Sequence, residues 1–363
     1  MVSMTNRRVF IAQSAAIGVA ATVFRPVAGV ARPAGTNGPS AGMAQTVLGA
    51  MDADRLGCTL PHEHIADGPY FQDKWPNGGR REFTNQAVAQ LKTVRAAGID
   101  TIVDLTPYDV GRDIRFLEEV SRRSGIPMIA CTGQRFFPPQ YAGVTMPSRT
   151  IEGLAEFFGK EISQGIDGTG IRAGVIKIGV VGKEPTELEI TGLRAAVRTS
   201  RATGVPIRIH THAVDRAADN LVAILDDEGM NPAKVSFDHS DDSGDLDYFL
   251  GLVRRGYSLG MDHVHRGLMP NAKLSFERRA ECIARLVETG FAGNVFLSQD
   301  EELGGSLLPE DVKDFRSRLD PPDGLLFTTR KLIPRLRQAG VSGQDIRVMT
   351  VENPRRFFGV SQA

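Results

Sequence analysis

Little in this 363-residue sequence advertises a macromolecular partner, and several absences narrow the field. Its 43 basic and 43 acidic residues cancel, so no net field draws the chain to nucleic acid or an anionic membrane surface. No block of like charges, low-complexity tract or short-period repeat is present. The three cysteines, Cys58, Cys131 and Cys282, are an odd number without paired spacing, which argues against a disulfide framework. No Cys-x-x-Cys offers a thiolate zinc site, and Cys58 and Cys131 lie in apolar, strand-like runs that suit core thiols. No Gly-x-Gly-x-x-Gly follows the first strand, which removes the dinucleotide fingerprint. No Gly-x-Ser-x-Gly elbow offers a serine nucleophile.

The first thirty residues differ in kind from the rest. Arg7 and Arg8 precede a mild, Ala/Gly-rich apolar run over 11–24, too short and too weakly hydrophobic for a membrane span. The Arg-Arg-x-Phe arrangement reads as a twin-arginine export signal. Ala28 or Ala31 would precede the cleavage point, and residues 1–44 divide from the rest as signal and flexible leader. The expected address is the periplasm or another exported location, with the twin-arginine translocation machinery as partner. That route carries folded proteins and suits an enzyme loaded with metal before export. An uncleaved amphipathic start is the alternative.

From residue 45 to 363, short apolar runs alternate with longer helical patterns. The runs predict strands over 56–60, 101–105, 127–131, 173–178, 206–209, 234–237, 257–261 and 294–297. Helices are predicted between them over 85–97, 112–124, 151–164, 187–203, 217–228, 246–255, 275–289 and 325–339. Gly98, Gly125, Gly204, Gly229, Gly256 and Gly290 stand just past helix ends, where a left-handed residue closes a helix without steric cost. Eight strand–helix units in about 300 residues fit a single (β/α)8 TIM barrel better than an open doubly wound sheet. The stretch after Val351, "VENPRRFFG", predicts a short terminal helix against the barrel.

All seven histidines fall in four clusters at or just past predicted strand ends: His62 and His64, His210 and His212, His239, and His263 and His265. In a parallel α/β barrel the strand C-termini are where catalytic groups gather. His62 and His64 are two apart, so strand alternation points both the same way. Lys177 lies in the apolar run "GVIKIG". A bare ammonium inside a barrel is costly unless paired or modified, which leaves two readings: it snorkels out at the strand end, or it enters the cavity as a CO2-derived carbamate able to bridge two metals. His210 and His239 each supply one neutral imidazole, and Asp300 in "FLSQDEE" supplies a carboxylate. Four histidines, one lysine and one aspartate on five strands match a binuclear metal-dependent hydrolase.

The chain resembles the phosphotriesterase family of the amidohydrolase superfamily over roughly residues 46–360. The resemblance rests on "LGCTLPHEHI", "AAGIDTIVDLT", "DVGRDI", "GTGIRAGVIKIG", "TGVPIRIHTHA", "VSFDHSDD", "GYSLGMDH", "FLSQDE" and "VENPRRFFG". It implies that His62, His64 and Asp300 hold the more buried of two divalent ions, most simply zinc, and that His210 and His239 hold the more exposed one. Lys177, as N6-carboxylysine, would join them with a bridging hydroxide. Asp242 and His263 match the family's proton-relay positions, which begin at Asp300. A homodimer is implied as well. His212 and His265 match no ligand position and are read as pocket-lining or loop residues. Glu63 is read as a structural contact, and Asp241 as a helix cap.

The implied reaction is hydroxide attack on a small-molecule ester: a phosphotriester, a lactone or a related carboxylic ester. Arg135 stands where phosphotriesterases of this family commonly carry an aromatic wall, and it is a candidate partner for a polar or anionic substrate group. Tyr141, the aromatic of lactonase-like relatives, comes only further along, and the stretch from Asp262 to about Lys273 is shorter than in well-known phosphotriesterases. Both departures point away from a bulky organophosphate. Two other classes stay open: a deaminase or amidase of the same superfamily, and a catalytically silent periplasmic metal-binding barrel.

Overall fold

Runs rich in Val, Ile, Leu and Phe become parallel strands when both of their faces are covered. The computed structural model describes residues 42–65, 79–135, 147–303 and 323–360. After an antiparallel hairpin of β1 (Met43–Thr46) and β2 (Gly49–Asp52), eight such runs follow. They are β3 (Thr59–Glu63), β4 (Thr101–Asp104), β5 (Met128–Gln134), β6 (Val175–Gly179), β7 (Ile207–His210), β8 (Val235–Asp238), β9 (Ser258–Met261) and β10 (Val295–Leu297). They pair in chain order from β3 to β10. The last gap is bridged just beyond the strands. Asp300 N–H donates to the His62 carbonyl (3.1 Å), His64 N–H to Glu301 (2.8 Å) and Leu303 N–H to His64 (2.9 Å). The eightfold barrel is thus closed at its seam by residues of the histidine cluster itself.

Helices α1 (Gly79–Ala96), α2 (Ile114–Ser124), α3 (Ile151–Ser163), α4 (Glu187–Thr203), α5 (Ala218–Asp227), α6 (Leu246–Arg254) and α7 (Phe276–Leu286) separate the barrel strands. Local chemistry sets their ends. Asp113 accepts from Phe116 N–H to start α2, and Thr186 and Glu189 form a reciprocal capping box on α4. The six glycines expected past helix ends all take the left-handed backbone, with φ between 64° and 95°.

Alternation along each strand sorts side chains between shell and bore. Ile176, Ile178, Ile207, Ile209, Phe237, Leu259, Met261, Val295 and Leu297 join one apolar cluster with the helices. The residues between them share the opposite face: Val175 and Lys177, Arg208 and His210, Ser236 and Asp238, Phe296 and Ser298. At the N-terminal end the bore is apolar. Ile129, Cys131, Val175 and Phe296 pack there with Ala44 of the hairpin and with Phe357 and Phe358. Those two phenylalanines lie in a short helix, Asn353–Phe358, which realises the terminal helix expected after Val351.

Three sequence expectations shift. The first barrel strand runs through Pro61 to Glu63 rather than ending at Leu60. The helix expected over 325–339 is broken into a 3-10 turn (Gly324–Leu326), a π turn (Thr328–Leu332) and α8 (Ile333–Gln338), because Pro334 has no N–H for the regular ladder. Short helices α9 (Gly343–Arg347) and α10 (Asn353–Phe358) complete the chain. The hairpin begins at Met43, so the last two residues assigned to the leader pair within the folded unit, and Ala44 is fully buried. The twin-arginine segment and Tyr141 lie outside the described residues.

Candidate metal centre

The predicted ligand residues converge at the C-terminal end of the bore. His62 lies in β3 and His64 directly follows it, Lys177 lies in β6, His210 ends β7, His239 follows β8, and Asp300 comes three residues after β10. Lys177 does not snorkel outward: its side chain is 2% exposed, and Nζ lies 3.0 Å from His62 Nε2 and 2.9 Å from Asp238 Oδ2. Asp300 Oδ1 lies 3.4 Å from His62 Nε2 and 3.2 Å from His64 Nε2. His210 Nδ1 and His239 Nε2 are 2.6 Å apart. One ligand atom from each of His62, His239 and Asp300 falls within 4.8 Å of the others.

Two of these residues hold unusual backbone. His239 and Asp300 have φ of 60° and 50°, a region that costs a non-glycine residue on the order of 1–3 kcal/mol and that collects at functional sites. The surrounding bonds hold them there. His239 N–H donates to Asp262 Oδ1 (2.8 Å), and Asp300 N–H donates to His62 as above.

Asp262 was not anticipated from the sequence, and it organises the cluster. Its Oδ2 accepts from His62 Nδ1 (2.6 Å) and its Oδ1 from His239 Nδ1 (2.8 Å). A carboxylate only accepts, so both rings carry their proton on Nδ1 and turn an Nε2 lone pair into the cavity. Below it, Arg208 donates to Asp238 (2.6 Å), and its guanidinium covers the Phe296 ring at 5.2 Å. Arg208 and Asp238 are fully buried. Gly260 makes the closeness possible: a Cβ there would meet Asp262 Oδ2 at 2.7 Å, Arg208 Nη2 at 2.8 Å and Asp238 Oδ1 at 2.9 Å.

Electrostatics match this arrangement. Burial, with the neighbouring His263, pushes His239 down to about 3. Burial and Lys177 lower His62, and burial and Arg135 hold His210 well below the ordinary histidine range. Burial alone would raise Asp300, but His62 and the hydrogen bonds from His263 and His64 hold it well below the usual carboxylate range. Neutral imidazoles with inward lone pairs, beside ionised carboxylates, are the protonation states that divalent cations require. The residues therefore fit the metal that the resemblance implies.

A polar path leads away from Asp300. Its Oδ2 meets His263 Nε2 at 2.9 Å, and His263 Nδ1 meets Asp242 Oδ2 at 2.8 Å. Burial and Arg266 disfavour the charged His263 ring, yet Asp242 and Asp300 overcome them and lift it to about 9. Arg279 holds both Asp241 and Asp242, at 3.0 and 2.8 Å. Asp241 is not the helix cap it was read as. Its Oδ1 accepts the Asp262 and His263 N–H groups (2.9 and 3.0 Å), and Asp245 caps α6 instead.

Glu63 is structural: its buried carboxylate accepts from Gln299 Nε2 (2.6 Å) and Glu301 N–H (2.8 Å) across the barrel seam. His212 is a half-exposed loop residue paired with Asp215 (3.0 Å), while His265 is buried edge-on against Phe327. All three cysteines are free thiols, and burial pushes Cys58 up to about 11. Arg135 lies against the cluster, with Nη2 2.8 Å from His210 Nε2.

Known proteins are similar to this chain over most of its length. Residues 42–358 match the model of the phosphotriesterase family. An aryldialkylphosphatase from Saccharolobus solfataricus is 30% identical over 319 residues, 85% of this chain and 97% of that protein. An N-acetyltaurine hydrolase from Salmo salar is 24% identical, over 87% of this chain and 98% of that one. A solved mutant of the organophosphorus hydrolase from Deinococcus radiodurans superposes with a TM-score of 0.76 at 30% identity, covering 87% of this chain and 97% of that one. With the barrel and the histidine–aspartate cluster in place, this chain belongs to the phosphotriesterase family and is one of its hydrolases.

Proposed function

We propose that this protein cuts an ester bond (a phosphotriester, a lactone or a related carboxylic ester) with two divalent ions held at the barrel mouth. The observation that supports this most is the convergence of six side chains from five strands at one end of the bore, in two close sets (His62, His64, Lys177 and Asp300; His210 and His239) joined through Asp262. In this reading His62, His64 and Asp300 would hold one ion and His210 and His239 the other, and Lys177, as a carbamate, would add a further ligand. Imidazole and carboxylate donors suit zinc. Such ions supply a water that ionises near neutral pH and a Lewis acid for the scissile oxygen.

The chain's own groups do the rest. Asp262 fixes the tautomers of His62 and His239. Asp300 divides its oxygens, Oδ1 towards His62 and His64, Oδ2 towards His263. It is thereby set to take a proton at Oδ2 and pass it through the His263 ring to Asp242, whose side chain is 25% exposed. The twin-arginine segment adds export in the folded state, and the family resemblance adds a homodimer.

Zinc-loaded protein assayed against paraoxon-like triesters, acyl lactones and aryl esters tests the reading. We expect turnover of at least one class, lost on chelation while the far-ultraviolet circular dichroism stays that of a folded barrel. Full activity in metal-free protein would contradict it. Amide cleavage is the second reading, supported by the N-acetyltaurine hydrolase relative. An anilide beside the matching aryl ester separates the two.

A further inference from the structure

Arg208 belongs neither to the ion-holding set nor to the proton path, yet it lies in the bore beneath both. It stands between Ile207 and Ile209 in β7, beside Lys177, its register partner on β6, and it is fully buried. Its Nη2 donates to Asp238 Oδ1 (2.6 Å) and lies 3.6 Å from Asp262 Oδ2, so one guanidinium meets two carboxylates. Each carboxylate in turn holds predicted ligands. Asp238 Oδ2 accepts from Lys177 Nζ (2.9 Å) and lies 3.3 Å from His62 Nδ1, while Asp262 carries the Nδ1 groups of His62 and His239. All three charged groups approach the bare Cα of Gly260, where a Cβ would lie 2.7 to 2.9 Å from each.

Packing alone does not account for an arginine at this depth. The neighbouring layer of the bore is apolar, with Cys131, Val175 and Phe296, and Arg208 Nε and Nη1 are buried without an acceptor among the described residues. Unpaired buried donors lower stability, so the fold by itself favours an aliphatic side chain here. The geometry around His62 supplies a different reason. Its Nδ1 has two acceptors close by, Asp262 Oδ2 at 2.6 Å and Asp238 Oδ2 at 3.3 Å. One oxygen from each carboxylate falls within 4.8 Å of the other, and two anions that close repel. A planar guanidinium bound to both fixes their spacing, and with it the direction in which Lys177, His62 and His239 point.

We propose that Arg208 is a positioning residue for the whole metal centre. By gripping Asp238 and Asp262 together it aligns Lys177, His62 and His239, so both ion positions weaken when the grip is lost. This deepens the two-ion reading above and rests on it.

Calorimetric titration of zinc into metal-free, full-length protein reads the ion equilibria without requiring turnover, and thermal unfolding of the metal-free form is recorded beside it. Arg208→Lys keeps the buried charge and loses the fork that spans two carboxylates. It should fold as wild type does and bind zinc about tenfold or more weakly at both positions, as the loss of a group that orients ligands implies. Arg208→Met, which loses charge and fork, should be weaker still. Removing one member of a buried ionic set can unfold a chain, so Arg208→Met is also combined with Asp238→Asn, which restores neutrality. The double variant should recover thermal stability and keep a low zinc affinity, whereas a merely structural arginine predicts that both recover together. It decides the matter if neither single variant folds. Wild-type zinc affinity in Arg208→Lys, weakening of only one of two ions, or recovered affinity in the double variant overturns the proposal. Wild type that takes up a single ion contradicts the two-ion reading instead; Arg208 then stands if its lysine variant weakens that ion and falls if it does not. Wild type that binds no zinc defeats both.

Discussion

The two ends of the bore are built from the same strands and do opposite work. At the N-terminal end, Phe296, Phe357, Phe358 and the β1–β2 hairpin make an apolar plug, which stabilises the fold and performs no chemistry. At the other end, two to four residues along the same strands, histidines, carboxylates and a lysine crowd together with left-handed backbone at His239 and Asp300. Arg208, over Phe296 on one side and bonded to Asp238 on the other, marks the boundary. A closed apolar base lets the open end carry strain and buried charge that a small core would not tolerate, the division usual in barrels of this kind.

Substitutions at each end should separate activity from stability. The largest effect is expected from Asp300→Asn, which keeps shape and removes the proton acceptor. Turnover should fall by about 10²–10⁴-fold, the usual worth of a positioned general base, with the thermal transition nearly unmoved. At the base, Phe296→Ala should cost about 3–5 kcal/mol in chemical denaturation, while kcat at low temperature stays close to wild type. A smaller effect between the two ends is expected from Asp262→Asn. It disturbs the acceptor that orients His62 and His239, so zinc affinity should drop by about 10–100-fold, read by competition with a chromogenic chelator. If Phe296→Ala abolished turnover in folded protein, or Asp300→Asn unfolded it, the division between the ends would fail.

Much of this was legible because the informative residues are out of place. A lysine in an apolar run and histidines confined to strand ends stand out against a background of Val, Ile and Leu. Strand alternation then puts Lys177, His62 and His210 in one bore. The same signal was present and unread at Arg208, two residues before His210 and equally foreign to its strand. Asp238 and Asp262 each immediately precede a histidine, and that repeated Asp-His pair marks the carboxylates that orient the rings. Other features leave no mark in one sequence. The positive φ at His239 and Asp300 is imposed by tertiary hydrogen bonds, and the role of Asp241 depends on the β9 turn folding back over it. The first barrel strand, expected over 56–60, runs on through Pro61 to Glu63, and the chain just beyond it closes the seam.

Zinc counted per chain tests the central claim most directly. Loaded, gel-filtered protein is measured by elemental analysis beside Lys177→Ala, with and without a small added carboxylate. The account predicts two ions per wild-type chain, fewer in Lys177→Ala, and partial recovery with the carboxylate. One ion or none in fully active protein, or two in the alanine variant with undiminished hydrolysis, would contradict it.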